Sequence, residues 1–202
     1  LGYPHVGGGG ESVASSTSLA GITDWVVVEL RDALDPTVVL ATQSALLRSD
    51  GRVFSAAGFA SLVFDAPHGN YYVTVHHRNH LGVMTASALA LTDVPQLVDF
   101  VAPATATYGI EAQRLAGSRM VLWEGNATGD EELKYAGALN DRDAILLKIG
   151  GSVPTAIVNG YFTEDCNLNG QVKYTGGAND RDPILVNMPG GAVTGQRLQQ
   201  LP

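Results

Sequence analysis

Two segments in the second half of the chain carry oxygen-bearing side chains at alternate positions. In the segment that starts at Asp165, Asn167 and Asn169 follow at every second residue, and Gly170 comes next. Side chains spaced in this way around a tight turn converge on one point, and the glycine permits the sharp bend. Calcium takes about six to eight oxygen ligands around one centre, and a D-x-N-x-N-G sequence can supply several of them. The pattern therefore predicts a calcium site.

A second copy of this segment lies earlier in the chain, with Asn126 at the place of Asp165, 39 positions before it. Thr128 and Asp130 occupy the next two polar positions, but Glu131 stands where the later copy has glycine. Both copies continue to an identical Asn-Asp-Arg-Asp sequence, at 140–143 and at 179–182. A duplicated unit of a turn, a polar loop and a short apolar helix is the simplest explanation.

The shared Asn-Asp-Arg-Asp sequence is the candidate for closing each loop. An acid at the twelfth position closes an EF-hand loop, but the twelfth residue from Asp165 is Gly176. We therefore expect an insertion before this sequence, which returns an acid to the ion. The alternative is that it caps a helix, with an aspartate that accepts backbone N–H bonds. The expected ligands of two Ca2+ sites are, in chain order, Asn126, Thr128, Asp130, Asp141, Asp143, Asp165, Asn167, Asn169, Asp180 and Asp182.

The first half of the chain has the pattern of a β protein. Residues 22–103 contain about seven short runs rich in β-branched residues, separated by turn residues and without a helical period. Two of the shorter runs are 61–64 and 96–101. This spacing predicts a mainly β fold, an antiparallel β-sandwich of the immunoglobulin or fibronectin III kind.

The ends of the chain differ from both halves. Four consecutive glycines at 7–10 and a Ser/Thr cluster cannot bury enough apolar surface to fold alone. They indicate a flexible leader, or an arm that orders against another chain with Tyr3, Val6 and Val13 as anchors. Because the chain begins with Leu1, we expect a processed piece. The expected organisation is an N-terminal arm at 1–21, the β-sandwich at 22–103, a linker at 104–119, the duplicated calcium module at 120–191 and a C-terminal tail at 192–202.

Composition excludes several classes of function. The net charge is −8, with only 12 lysines and arginines, which argues against nucleic-acid binding. No apolar run reaches the roughly 18 residues that would predict membrane insertion. The single cysteine, Cys166, allows no internal disulfide, and it lies in an acidic loop that disfavours a reactive thiolate. No G-x-S-x-G sequence is present, so we expect no enzyme. His76 and His80 share a strand face, which is too few ligands for zinc.

The chain also resembles known proteins. The two loops are similar to the duplicated calcium loops of type I dockerin modules. Together with the segments 25–33, 44–51 and 77–85, they resemble a C-terminal region of secreted multidomain proteins from Bacteroidota-like bacteria. The chain departs from that pattern at Glu131, at Cys166 and in the insertion before Asn-Asp-Arg-Asp. The resemblance implies a non-catalytic β-sandwich followed by dockerin-like, EF-hand-type calcium loops, located outside the cell or at its surface.

These observations favour a structural or assembly module that binds two Ca2+ ions, for example a subunit of a surface polymer or filament. Self-association through the N-terminal arm is the expected partnership. The alternative is a carbohydrate-binding or adhesion module that tethers a larger secreted protein to glycans.

Overall fold

The computed structural model describes residues 20–57 and 60–202, and within them the chain forms two compact units. The first unit runs up to His77 and includes Gly82–Val121 and Gln200–Pro202. The second unit consists of Arg78–Leu81 and Leu122–Gln199. The expected N-terminal arm lies almost wholly outside the described residues.

The first unit contains an antiparallel sheet, and the fold is mainly β, as the sequence predicts. Its strands are β1 (Ile22–Asp32), β2 (Val39–Arg48), β3 (Val53–Ser55), β4 (Gly69–His77), β5 (His80–Met84, of which Gly82–Met84 belongs to this unit) and β6 (Leu89–Leu91). They are arranged in the order β3-β2-β1-β4-β5, and β6 pairs with the start of β4. The long central strand β1 therefore pairs with β2 on one side and with β4 on the other.

The continuous apolar run of β1 is explained by burial on both of its faces. Trp25 and Val27 pack with Leu46 on one face, while Val26 and Val28 belong to a larger cluster on the other. Successive side chains of a strand point to opposite faces, so a strand covered on both sides has no polar alternation.

Two of the expected strands are wrong. Residues 61–64 and 96–101 are irregular, although Leu62, Phe64 and Val98 still pack against the apolar cluster of the sheet. The apolar composition of these two segments therefore comes from the burial of their side chains, and not from main-chain pairing with a neighbouring strand. The expected linker at 104–119 lies within the first unit, where β7 (Arg114–Ala116) pairs with β8 (Arg119–Val121).

The second unit contains the duplicated sequence. Its elements are β9 (Glu132–Lys134), α1 (Asp141–Lys148), β10 (Ile157–Asn159), β11 (Gln171–Lys173), α2 (Arg181–Asn187), a short 3-10 helix (Pro189–Gly191) and β12 (Gln196–Leu198). Neither helix, nor any other in the described part of the chain, is long and apolar enough to cross a bilayer.

The two copies exchange their last strands. β10, at the end of the first copy, pairs with β11 of the second copy. β12 occupies the position equivalent to β10, and it pairs back with β9 of the first copy. The residues expected to be a C-terminal tail thus complete the ladder of the first loop, and the main-chain N–H of Gln199 donates to the carbonyl of Glu131 at 2.8 Å.

The core of the second unit follows the same symmetry. Four pairs of equivalent residues are buried in one cluster: Ala127 with Cys166, Leu133 with Val172, Ile145 with Ile184, and Ile149 with Met188. Leu81 is the remaining buried member of this cluster. Each loop is therefore anchored by apolar side chains immediately after its first polar residue and in the middle of its strand.

Candidate functional site

The two loops have the same backbone conformation. Left-handed φ angles occur at four pairs of equivalent positions: Gly129 and Leu168, Glu131 and Gly170, Gly137 and Gly176, and Leu139 and Ala178. The last two pairs lie in the stretch expected to be an insertion, so that stretch has one fold in both copies. Glu131, the departure from the glycine pattern, adopts φ 68° where Gly170 adopts φ 81°.

This equivalence predicts opposite effects of two substitutions. Gly170→Ala should lower the free energy of unfolding by about 1 kcal/mol, because a Cβ is disfavoured in the left-handed region. The added Cβ would meet no atom within 4 Å, so the loss measures the backbone alone. Glu131→Gly should raise stability by up to about 1 kcal/mol for the same reason. Urea unfolding of both variants checks this, and a loss of stability in Glu131→Gly would contradict it.

The first aspartate of each Asn-Asp-Arg-Asp sequence points back into its loop. Asp141 Oδ1 accepts from the main-chain N–H of Thr128 at 3.0 Å, and its Oδ2 accepts from that of Lys134 at 2.8 Å. Asp180 does the same in the second copy, where it accepts from the N–H groups of Asn167 at 3.2 Å and Lys173 at 2.7 Å. Each buried carboxylate thus joins the third position of the loop to the strand that follows.

The second aspartate belongs to the helix cap. Asn140 caps α1 by accepting from the N–H of Asp143, while its amide donates back to the Asp143 carboxylate at 2.8 Å. Asn179 and Asp182 form the same reciprocal pair, at 3.0 and 2.8 Å. The two interpretations of the shared sequence are therefore compatible, since its two aspartates have different partners.

The first polar residue of each loop organises the turn. Asn126 Oδ1 accepts from the N–H of Gly129 at 2.9 Å and from that of Asp130 at 3.2 Å. The carboxylate of Asp165 accepts from the N–H groups of Asn169 at 3.1 Å and Gly170 at 2.9 Å. These bonds wrap each loop around an oxygen-bearing side chain.

The later alternate residues are less buried. Asn167 and Asn169 accept from main-chain N–H groups two residues ahead, at 3.2 and 2.9 Å. Thr128 instead donates its hydroxyl to Asp141 Oδ1 at 2.9 Å. Asp130, like Thr128, is exposed. The second loop thus presents one more carboxamide oxygen than the first.

The arginines between the two aspartates stack on tyrosines. The Arg142 guanidinium carbon lies 5.3 Å from the ring centre of Tyr135, and that of Arg181 lies 5.1 Å from the ring centre of Tyr174. Arg142 also forms an ion pair with Asp143 at 3.1 Å. The tyrosine and the arginine that occupy equivalent positions in both copies are therefore explained by this stacking at the start of each helix.

Sequence reasoning missed one residue that holds both loops. The main-chain oxygen of Asn79 accepts from the N–H groups of Gly125 and Asn126, each at 3.0 Å. Its side-chain amide donates to the carbonyls of Thr163 at 2.9 Å and Asp165 at 2.7 Å. Asn79 is fully buried and lies far from both loops in the sequence, so no local pattern identifies it.

Next to it, Arg78 supplies a buried positive charge. Its guanidinium lies 3.7 Å from Asp165 Oδ2 and stacks 4.4 Å from the ring centre of Tyr161. The start of the second loop therefore already has a cation beside it. Asn126, the equivalent residue of the first loop, is uncharged.

Burial sets the electrostatics of the two inward-facing aspartates. It raises the pKa of Asp141 and of Asp180 to about 6, although the hydrogen bonds from the loop oppose this rise. The neighbouring charges of Asp130 and Asp165, respectively, raise them further. Burial also raises the pKa of the Cys166 thiol, in line with the expectation that this residue is not a nucleophile.

These pKa shifts predict a pH dependence of stability with a definite sign. In chelator, the folded protein holds these protons up to about pH 6, whereas the unfolded chain loses them near 3.8. The stability that the two protonated carboxyl groups contribute is therefore present below about pH 4 and is lost as the pH rises through about 6. Asp141→Asn should remove part of this decrease. Unfolding curves of the parent and variant between pH 4 and 7 check it, and parallel curves would contradict it.

No group of three or more histidine, cysteine or acidic side chains in the described residues forms a metal cluster. Such a group does not include the amide, hydroxyl and main-chain oxygens of a calcium loop. The histidines have separate partners: His76 lies 3.1 Å from Glu29, and His77 lies 3.2 Å from Asp24.

Comparison with known proteins gives no relative. No protein-family model, curated protein or solved structure matches the chain.

Proposed function

We propose that the protein is an extracellular, non-catalytic structural or assembly module whose second unit binds two calcium ions. One observation carries this proposal: in both copies a buried aspartate, Asp141 or Asp180, turns back into a loop of alternating oxygen donors. The helix cap uses only the asparagine and the second aspartate of the shared sequence. The burial of the first one, with its raised pKa, is a cost that a bound cation would offset.

The donor set fits calcium. The second site would use Asp165, Asn167, Asn169 and Asp180, which are all hard oxygen donors. The first would use the equivalent Asn126, Thr128, Asp130 and Asp141. Asp143 and Asp182, expected as ligands from the sequence, are assigned to the helix caps in this proposal. Each loop has two carboxylates, and a bound ion would balance charges that otherwise repel each other.

The proposal also covers the fold class of each unit and the location of the protein. We assign the first unit to the β-sandwich class and the second to a dockerin-like module. Apolar clusters on both faces of β1 support the former assignment, and the duplicated loop and helix supports the latter. The location outside the cell is inferred from the calcium loops, since extracellular calcium is millimolar and weak loops would be filled there.

Removal of calcium tests this function. An ion that binds only the folded state stabilises it according to its concentration, so EDTA should lower the melting temperature. Protease should then cut residues 122–199 before the sheet of the first unit, because the clustered carboxylates lie only in the second unit. Magnesium added in place of calcium is the control. Equal cleavage of both units with and without EDTA would contradict the proposal.

A further inference from the structure

One edge of the sheet in the first unit is uncovered. The outer side of β2 pairs with β3 only at Ala45, Leu46 and Leu47. Over 39–43, no described residue pairs with that side of the strand. A stretch of five residues spans about 17 Å, and from Ala41 onward, after a register shift at Leu40, alternate N–H and C=O groups point away from β1.

This edge has neither the charge nor the proline that protects many edges against pairing, although its register against β1 shifts at Leu40. Residues 39–43 read Val-Leu-Ala-Thr-Gln, with no charge and no proline. Val39 and Leu40 are 41% and 51% exposed. Natural sheets often blunt their edges with lysine or proline, and an uncharged, partly exposed edge without them favours an added strand.

At the opposite side of the sheet the situation differs. Main-chain bonds join Met84 to Tyr108 and Ala86 to Ala106, and Thr85 bridges Thr107. Irregular backbone thus covers the end of β5. The contrast singles out β2 as the acceptor edge.

We propose that residues 39–43 of β2 accept the N-terminal arm of a second copy of this chain as an added antiparallel strand. This inference rests on the assembly role proposed above and identifies its contact surface. The arm has suitable chemistry: residues 12–19 read Ser-Val-Ala-Ser-Ser-Thr-Ser-Leu, without charge or proline. Alternation places Val13 and Leu19 on the same face of such a strand, and the glycines at 7–10 precede it.

The direction of the chain favours a second copy over the arm of the same chain. Ile22 pairs with Arg48, and the carbonyl of Gly21 accepts from the N–H of Ser49. The arm therefore leaves at the end of β2 that is far from Val39. To reach 39–43 of its own chain, it would have to pass β3 and run parallel to β2. An arm from another copy can lie antiparallel, which is the more stable pairing.

Disulfide trapping between two chains tests this directly. One chain carries Thr42→Cys, on the edge, and the other carries Ser16→Cys, in the arm. The native Cys166 is buried and does not interfere. Mild oxidation of the mixture should give a cross-linked heterodimer at several times the yield of a control that replaces Thr42→Cys with Leu34→Cys, which is 96% exposed but off this edge. A yield equal to the control would overturn the proposal.

A charge placed on the edge gives an independent test. The double variant Leu40→Lys/Thr42→Lys should sediment as a monomer at concentrations where the parent chain and Leu34→Lys assemble. Its calcium affinity should match that of the parent chain, and its melting temperature should match that of the parent chain diluted until it is monomeric. Assembly of the lysine variant would overturn the assignment of this edge without touching the proposed function.

A parent chain that stays monomeric at millimolar concentration would overturn both the edge contact and the assembly role. Cross-linking only within a Thr42→Cys/Ser16→Cys chain would overturn the second copy as donor.

Discussion

Asp180→Ala should weaken calcium binding at the second loop by more than about tenfold, since ligand charge sets affinity in oxygen-ligand sites. The carboxylate is buried and joins Asn167 to Lys173 through two main-chain N–H groups. Its loss therefore removes a proposed ligand and also leaves those donors without their acceptor. Asp180→Asn keeps the shape but removes the charge, and it should show most of the loss in affinity. Isothermal titration with calcium measures both variants.

The matched control is Asp182→Ala, two residues further along the same segment. Asp182 is exposed and pairs with Asn179 at the start of α2. Its removal should cost about 1 kcal/mol of stability, as for a lost helix cap, and leave calcium affinity within about twofold. If Asp182→Ala weakens calcium binding as much as Asp180→Ala, then the separation of the two aspartates into ligand and cap is wrong.

Asn79→Ala should destabilise the second unit by about 2–4 kcal/mol, because its buried amide donates to two carbonyls that both lose this donor in the variant. The bonds to Thr163 and Asp165 come from the side chain, whereas those to Gly125 and Asn126 come from the main chain. The substitution therefore loosens the start of the second loop more than that of the first. Hydrogen exchange of the two loops in calcium-free buffer checks this difference.

Asn159→Ala is the control for Asn79→Ala, because Asn159 is an exposed asparagine in β10 of the same unit. It should change stability by less than about 0.5 kcal/mol. Equal exchange in both loops of Asn79→Ala would show that the amide does not anchor the second loop selectively.

Local sequence patterns predicted the parts of the site that depend on neighbouring residues. The alternation around Asp165 and Gly170 describes a turn within one short segment, and the left-handed φ of Gly170 agrees with it. The shared Asn-Asp-Arg-Asp sequence likewise suggested both a loop closure and a cap. The sequence could not show which aspartate closes the loop and which belongs to the cap, because both carboxylates accept hydrogen bonds equally well. The residue at which the helix begins determines which of them faces the loop.

Long-range partners were beyond the reach of the same reasoning. Asn79 serves the loops through its main chain and its amide, and an isolated asparagine in a turn gives no signal of this. The pairing of β12 with β9 was also missed, since residues 196–198 share little side-chain chemistry with 157–159 although they occupy equivalent positions.

Strand prediction failed for segments whose side chains are buried but whose main chain does not pair with a strand. Residues 61–64 have the composition of a strand, but their apolar side chains pack on the sheet from an irregular segment. Periodicity reports which side chains are buried, and it reports hydrogen bonding only indirectly. The run of β1 was easier, because a long β-branched segment buried on both faces has few alternatives.

If each copy of the repeat holds one calcium ion, calorimetric titration of the whole chain with calcium should show two ions bound per chain. We expect dissociation constants at or below the millimolar range of extracellular modules. We also expect that one of the two ions is lost in Asp180→Ala and the other in Asp141→Ala. A titration that shows no binding at millimolar calcium, or binding that survives in the double variant, would contradict the binding of one ion by each copy.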